Sequence, residues 1–227
     1  MAARTRVKIC GLTRTGDVAV ACVAGADAVG FVCFQGSPRH VPRSALAELA
    51  HAVAPFVTPV LLFVDAAPED IRRALEIVPN ALLQFHGAES PADCQAYGRP
   101  YLRALAVGEG ADLLDCERRF PAAAAMLVDT PPGGDGRNRG GDRPGGFGGA
   151  GIAFDWRRLP GAAARGRPLV LAGGLTAANV GGAIATVRPW AVDVSSGVEE
   201  RKGVKDPARI RDFIAAVRAA DADRTEP

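Results

Sequence analysis

Apolar residues recur in eight short runs, each separated from the next by a more mixed stretch. The runs are 6–12, 28–34, 58–65, 81–87, 101–107, 124–130, 168–175 and 191–198. They are rich in Val and Leu and nearly continuous, the pattern of parallel strands buried on both faces. Most follow one another at about 20–30 residues, enough for a strand and a return helix. The intervening stretches carry helix punctuation. Ser90-Pro91 reads as an N-cap with proline in the first turn, and Gly98 closes that segment. Asp206-Pro207 repeats the start signal, and behind it Ile210, Phe213, Ile214 and Val217 form one apolar helical stripe. Thr176 is expected to cap a helix whose stripe includes Val180, Ala183, Ile184 and Val187. Eight strand–helix units in about 220 residues fit an α/β fold closed into a single (β/α)8 TIM barrel.

One interval breaks the rhythm. The sixth and seventh runs stand about 40 residues apart, and the excess is the Gly-rich stretch 131–151. Its composition is that of a flexible loop, and the barrel pattern resumes at Phe154-Asp155-Trp156. The expectation is therefore one domain over 1–227 with an enlarged loop after the sixth strand. With 27 basic and 25 acidic residues, the chain lacks the strongly basic face a nucleic-acid binder needs. No run reaches the roughly 18 apolar residues of a membrane span, and no signal peptide is evident. The five cysteines include no C-x-x-C pair, which argues against a disulfide framework or zinc site and suits a reducing cytoplasm. Only three residues are lysines, Lys8, Lys202 and Lys205, in an otherwise Arg-rich chain, so each invites a reason.

Barrel active sites lie at the C-terminal ends of the strands. That rule selects Cys10, Arg39, His86, Asp129, the pair Gly173-Gly174, Asp193 and Ser195-Ser196-Gly197. Cys10 reads as a core cysteine or as a thiolate base. If Val7 and Ile9 face the helices, Lys8 and Cys10 face the interior. Asp129 is a turn former before a Pro-rich loop, or the best acid at the mouth, with Asp193 second. Arg39 is a solvated loop residue or a fork for a carboxylate. His86 is a catalytic candidate or a packing residue. The glycines after the seventh and eighth strands make plain turns, or let backbone N–H groups approach a phosphate.

In order, the segments KICGLT (8–13), SPRHV (37–41), LLQFHG (82–87), LVDT (127–130), LAGGLTAANV (171–180) and RPWAVDVSSGVE (188–199) resemble the phosphoribosylanthranilate isomerase family. So do GADAVGFV (25–32) and GGAGIAFDW (148–156), and only about 131–147 falls outside the likeness. The resemblance implies an Amadori rearrangement of N-(5-phosphoribosyl)anthranilate in tryptophan biosynthesis, with no cofactor and no metal. It implies Cys10 as general base, Asp129 as general acid and Arg39 on the anthranilate carboxylate. Gly173, Gly174, Ser195, Ser196 and Gly197 would hold the phosphate, and Asp193 would lie near the substrate amine or sugar hydroxyls. The expected partners are a phosphorylated small molecule and at most a second copy of the chain, with no nucleic acid and no membrane.

The chain departs from the family pattern at three places. Ile152 stands where lysine is frequent. Lys202-Gly203-Val204-Lys205-Asp206 lacks the family's proline. The loop that follows Asp129 is enlarged. Two other readings compete. A histidine-pathway or bifunctional sister isomerase would carry Asp in place of Cys10. A catalytically degenerate barrel would bind a phosphorylated ligand without turning it over.

Overall fold

Each of the eight apolar runs supplies one strand of a closed parallel barrel. The computed structural model describes residues 4–107, 112–129 and 155–224. The strands are β1 (Arg6–Cys10), β2 (Ala28–Val32), β3 (Thr58–Phe63), β4 (Leu82–Phe85), β5 (Tyr101–Ala106), β6 (Ala125–Asp129), β7 (Leu169–Leu171) and β8 (Ala191–Val194). They pair in sequence order, and β1 closes the ring against β8. The return helices are α1 (Thr15–Ala24), α2 (Arg43–His51), α3 (Pro68–Ile77), α4 (Pro91–Gln95), α5 (Leu113–Arg119), α6 (Val180–Val187) and α7 (Pro207–Asp223). Between β6 and β7 the described residues form only two 3-10 turns, Trp156–Arg158 and Ala162–Ala164. The Gly-rich stretch 131–151 and Ile152 lie outside the described residues.

Alternation along each strand separates two cores. Val7, Ile9, Val29, Phe31, Leu83 and Phe85 point outward into the large layer shared with the helices. Leu102, Ala104, Ala125, Leu127, Val170, Ala172 and Ala191 fill the barrel interior. Lys8 and Cys10 therefore face inward, as the alternation requires. A hairpin of β9 (Glu199–Arg201) and β10 (Val204–Lys205) follows β8 and was not foreseen as an element.

The helix starts follow local chemistry. At α4 the Ser90 hydroxyl accepts from the Asp93 N–H while the Asp93 carboxylate accepts from the Ser90 N–H, a reciprocal capping box. At α7 the Asp206 carboxylate accepts from Ala208 and Arg209, and its apolar stripe is fully buried. Thr176 does not cap α6 as expected. Asn179 occupies the N-cap position, and its side-chain oxygen accepts from the Thr176 N–H. Ala177 and Ala178 lie between them, and the Asn179 side-chain amide also donates to the Gly174 carbonyl at 2.9 Å, which ties the loop after β7 to the start of α6.

Phe85 is fully buried against Phe63, Tyr97 and Tyr101, with the Tyr101 ring edge-on at 5.8 Å. Phe85→Ala should lower the unfolding free energy by about 3–5 kcal/mol, read from a urea melt. A loss under 1 kcal/mol would show that this ring cluster does not anchor β4.

Candidate active site

The C-terminal ends of the strands enclose one cleft. Cys10, Arg39, Asp129 and Asp193 line it, together with Gly173-Gly174 and Ser195-Ser196. His86 lines it too, so nearly all the residues singled out in the sequence converge on one place. Gly197 sits just behind, in the short 3-10 turn Ser196–Val198.

Cys10 ends β1 and is 6% exposed. Space for it comes from Gly30 on the neighbouring strand. A Cβ at position 30 would stand 2.8 Å from the Cys10 Sγ and 3.1 Å from the Lys8 side chain. One layer down, the Lys8 ammonium donates to both oxygens of Asp193, at 3.0 and 2.9 Å. The two are register partners on adjacent strands. Burial alone would lower the Lys8 ammonium, but Asp193 and Cys10 outweigh it and hold the charge firmly in place. Burial pushes the Cys10 thiol above its usual value, and Lys8 opposes that push. Asp193 is thus committed to an interior ion pair while still bordering the cleft.

Arg39 is anchored by a carboxylate of the chain itself. Its Nε and one Nη donate to the two oxygens of Glu199, at 2.7 and 2.8 Å. The sideways fork that seemed free for a ligand is therefore occupied. The other Nη lies outside that fork. Lys205 also reaches Glu199, at 2.9 Å, and donates to the Ser195 carbonyl at 3.0 Å and its hydroxyl at 3.2 Å. Burial would raise the Glu199 carboxyl, yet Arg39 and Lys205 pull it below its usual value. Burial holds the Lys205 ammonium below its own usual value. Two cations share one carboxylate, so the cluster carries a net positive charge directly behind Ser195 and Ser196.

The loops here approach as only glycine permits. Gly173 and Gly174 have φ of 84° and 64°. A Cβ on Gly197 would lie 1.9 Å from the Leu175 carbonyl oxygen. The loops after β7 and β8 therefore meet backbone to backbone beside the positive cluster. That arrangement favours a bound anion.

On the far wall, His86 extends past the end of β4. Burial, aided by the cations Lys8 and Arg103, lowers its pKa to about 3, so the imidazole is neutral. The loop beneath it is tied down by Arg103, which donates to Glu89 at 2.8 Å and to the Gly87 carbonyl at 2.7 Å. Glu89 in turn accepts from the backbone of Asp65 and Gly87. An apolar wall of Val32, Phe34, Leu62 and Val64 completes the cleft.

Glu199 and Lys205 had no assigned role in the sequence reading. Glu199 ends the quoted segment DVSSGVE, and Lys205 is one of only three lysines. Lys8 and Lys205 are 4% and 1% exposed, while Lys202 sits exposed at the hairpin turn. Scarcity of lysine was thus the available signal for two of the three. Among the described residues, no cluster of His, Cys, Asp or Glu has the makings of a metal site.

Glu199 is held ionised in the folded state, so its pKa there lies below the unfolded value. Its contribution to stability is present above about pH 4.5 and is lost as pH falls through the folded value. Glu199→Gln should cost about 3–5 kcal/mol at neutral pH and flatten the acid limb of the stability profile. Denaturant melts from pH 3 to pH 7 check both, and an unchanged acid limb would contradict the ionised assignment.

Residues 7–216 match the family model described as N-(5'phosphoribosyl)anthranilate (PRA) isomerase. A relative named N-(5'-phosphoribosyl)anthranilate isomerase, from Leptothrix cholodnii, is 54% identical over 97% of this chain and 94% of its own. The crystal structure of phosphoribosyl anthranilate isomerase from Thermotoga maritima superposes with a TM-score of 0.80 at 35% identity, covering 95% of this chain and 99% of that one. A structure of such an isomerase in complex with reduced 1-(o-carboxyphenylamino)-1-deoxyribulose 5-phosphate gives 0.77 at 34% identity, covering 95% and 99%.

Proposed function

The chain belongs to the N-(5'-phosphoribosyl)anthranilate isomerase family, an enzyme of tryptophan biosynthesis, and we propose that Cys10 and Asp129 carry its proton transfers. The reaction converts N-(5-phosphoribosyl)anthranilate to 1-(2-carboxyphenylamino)-1-deoxyribulose 5-phosphate. The observation that carries the site assignment is the shared cleft. A thiol, a carboxylic acid, an anchored guanidinium and two Gly- or Ser-rich loops border the same space at the strand ends.

The parts divide the work by chemistry. The apolar wall of Val32, Phe34, Leu62 and Val64 takes the anthranilate ring. Arg39 meets the ring carboxylate end-on through its remaining amino group, while Glu199 keeps the guanidinium plane in place. The phosphate sits at Gly173, Gly174, Ser195, Ser196 and Gly197, drawn by backbone N–H groups and the net charge of the cluster behind them. Asp193 acts chiefly by holding Lys8 beneath Cys10. The sugar then spans the middle of the cleft.

Asp129 gives its proton to the furanose ring oxygen as the C1–O bond breaks, and the nitrogen lone pair forms the iminium. The Cys10 thiolate takes the proton from C2, and the electron pair of that C–H bond neutralises the iminium. The resulting enolamine tautomerises to the ketone. Each step moves a proton and changes no oxidation state overall. A thiolate suits the C2 step because the nearby Lys8 ammonium stabilises it as it forms. Five free cysteines suit a reducing compartment, and we assign the enzyme to the cytoplasm.

Cys10→Ser and Asp129→Asn should each lower kcat by about 10²–10⁴-fold with melting temperatures near the parent's. The loss of substrate fluorescence follows turnover, and near-parental rates in either variant would overturn the assignment. Arg39→Ala should raise KM more than it lowers kcat, and an unchanged KM would remove Arg39 from the carboxylate. Because burial raises the Cys10 thiol and the base form is the thiolate, kcat/KM should still be climbing above about pH 8.5, the ordinary thiol value. A plateau reached below pH 8 would contradict a raised thiol.

A further inference from the structure

Gln84 is fully buried, with 0% exposure, yet neither its side-chain oxygen nor its nitrogen has a hydrogen-bond partner. Such a group is costly, because the lost hydration is not replaced. Its direction is set by β4, whose outward positions are Leu83 and Phe85 in the outer core. Gln84 faces inward and lines the same cleft as Cys10 and Asp129. Its register neighbours are Leu62 on β3 and Leu102 on β5, which offer no polar side chain. An apolar residue would pack among them more favourably. The amide is therefore explained by something that enters the cleft.

The position along the cleft says which part of a ligand it meets. In the ring order of the barrel, the apolar wall lies on β2 and β3 and the anion loops follow β7 and β8. β4 stands between the apolar wall and Asp129 on β6. A substrate with its ring on the wall and its phosphate at the loops presents its sugar carbons there. We propose that Gln84 is a further substrate-contacting residue, its side-chain amide hydrogen-bonding the sugar oxygens of the reacting pentose. An amide suits the task because its NH₂ donates to an oxygen both as a hydroxyl and, after isomerisation, as a carbonyl. Being uncharged, it does so without disturbing the proton balance between Cys10 and Asp129.

The inference rests on Cys10 and Asp129 flanking the sugar, and the Cys10→Ser kinetics above test that reading separately. Its own test is Gln84→Met, which keeps the volume and removes the orphaned polar atoms. A role confined to the core predicts equal or better stability with unchanged kinetics. Contact with the sugar predicts equal or higher melting temperature, kcat/KM lower by about tenfold or more, and a Kd for the reduced product analogue about tenfold weaker. Kinetics and binding within twofold of the parent would overturn the proposal. So would an activity loss that only tracks a lower melting temperature while the folded fraction binds the analogue normally. If Gln84→Met does not fold, the parent enzyme decides. Its three glutamines, Gln35, Gln84 and Gln95, give separable side-chain amide resonances under selective ¹⁵N labelling. Saturation with the analogue should shift the Gln84 pair strongly, and an unmoved pair would overturn the proposal.

Discussion

The Lys8–Asp193 ion pair in the barrel interior is the constraint around which the mouth is built. Its partners sit on adjacent strands at the seam where the barrel closes. Both groups are almost fully buried, and a buried pair of this kind contributes little net stability against an apolar substitute. Its value is electrostatic. It fixes an ammonium just beneath Cys10, where burial would otherwise leave a thiol with no means of carrying charge. The lack of a side chain at Gly30 then leaves room for both Lys8 and the Cys10 sulfur.

A second buried assembly does for the anion end what the first does for the thiol. Glu199 receives Arg39 from the loop after β2 and Lys205 from the hairpin after β8. One carboxylate between two cations immobilises both and leaves a positive surplus behind Ser195 and Ser196. Gly11 belongs to the same assembly, since a Cβ there would lie 2.5 Å from the Arg39 side chain. Charged groups are therefore already fixed at both ends of the cleft by contacts within the chain. The middle stays neutral, with Gln84 and the imidazole of His86 on the β4 wall. Preorganised charge of this kind costs folding stability and lowers the barrier later.

The frame of this site was largely legible in the chain. Eight apolar runs became eight strands because parallel strands packed on both faces admit few polar residues. The inward direction of Lys8 and Cys10 followed from the flanking Val7 and Ile9. The pairings that finish the site were not legible, because they join residues far apart in sequence. Arg39 and Glu199 are 160 residues apart, and nothing local shows that the fork of one is filled by the other. The hairpin that delivers Lys205 is too short and too polar to register as strands. Gln84 lay inside a quoted segment, but its lack of a partner is a property of the packed interior alone. The start of α6 was not legible because Thr176 and Asn179 are both capping residue types; Asn179 stands at the N-cap position with its side chain bonded back to the loop after β7.

The proposed base at Cys10 depends on Lys8 supporting the thiolate. The most direct measurement is the pH dependence of Cys10 alkylation by iodoacetamide, resolved by mass spectrometry, in the parent enzyme and in Lys8→Met. Removing the ammonium leaves the Asp193 carboxylate unpaired beside the sulfur, so the Cys10 transition should move to higher pH in the variant. An unmoved transition, or one at lower pH, would contradict the claim that this ion pair governs the thiol.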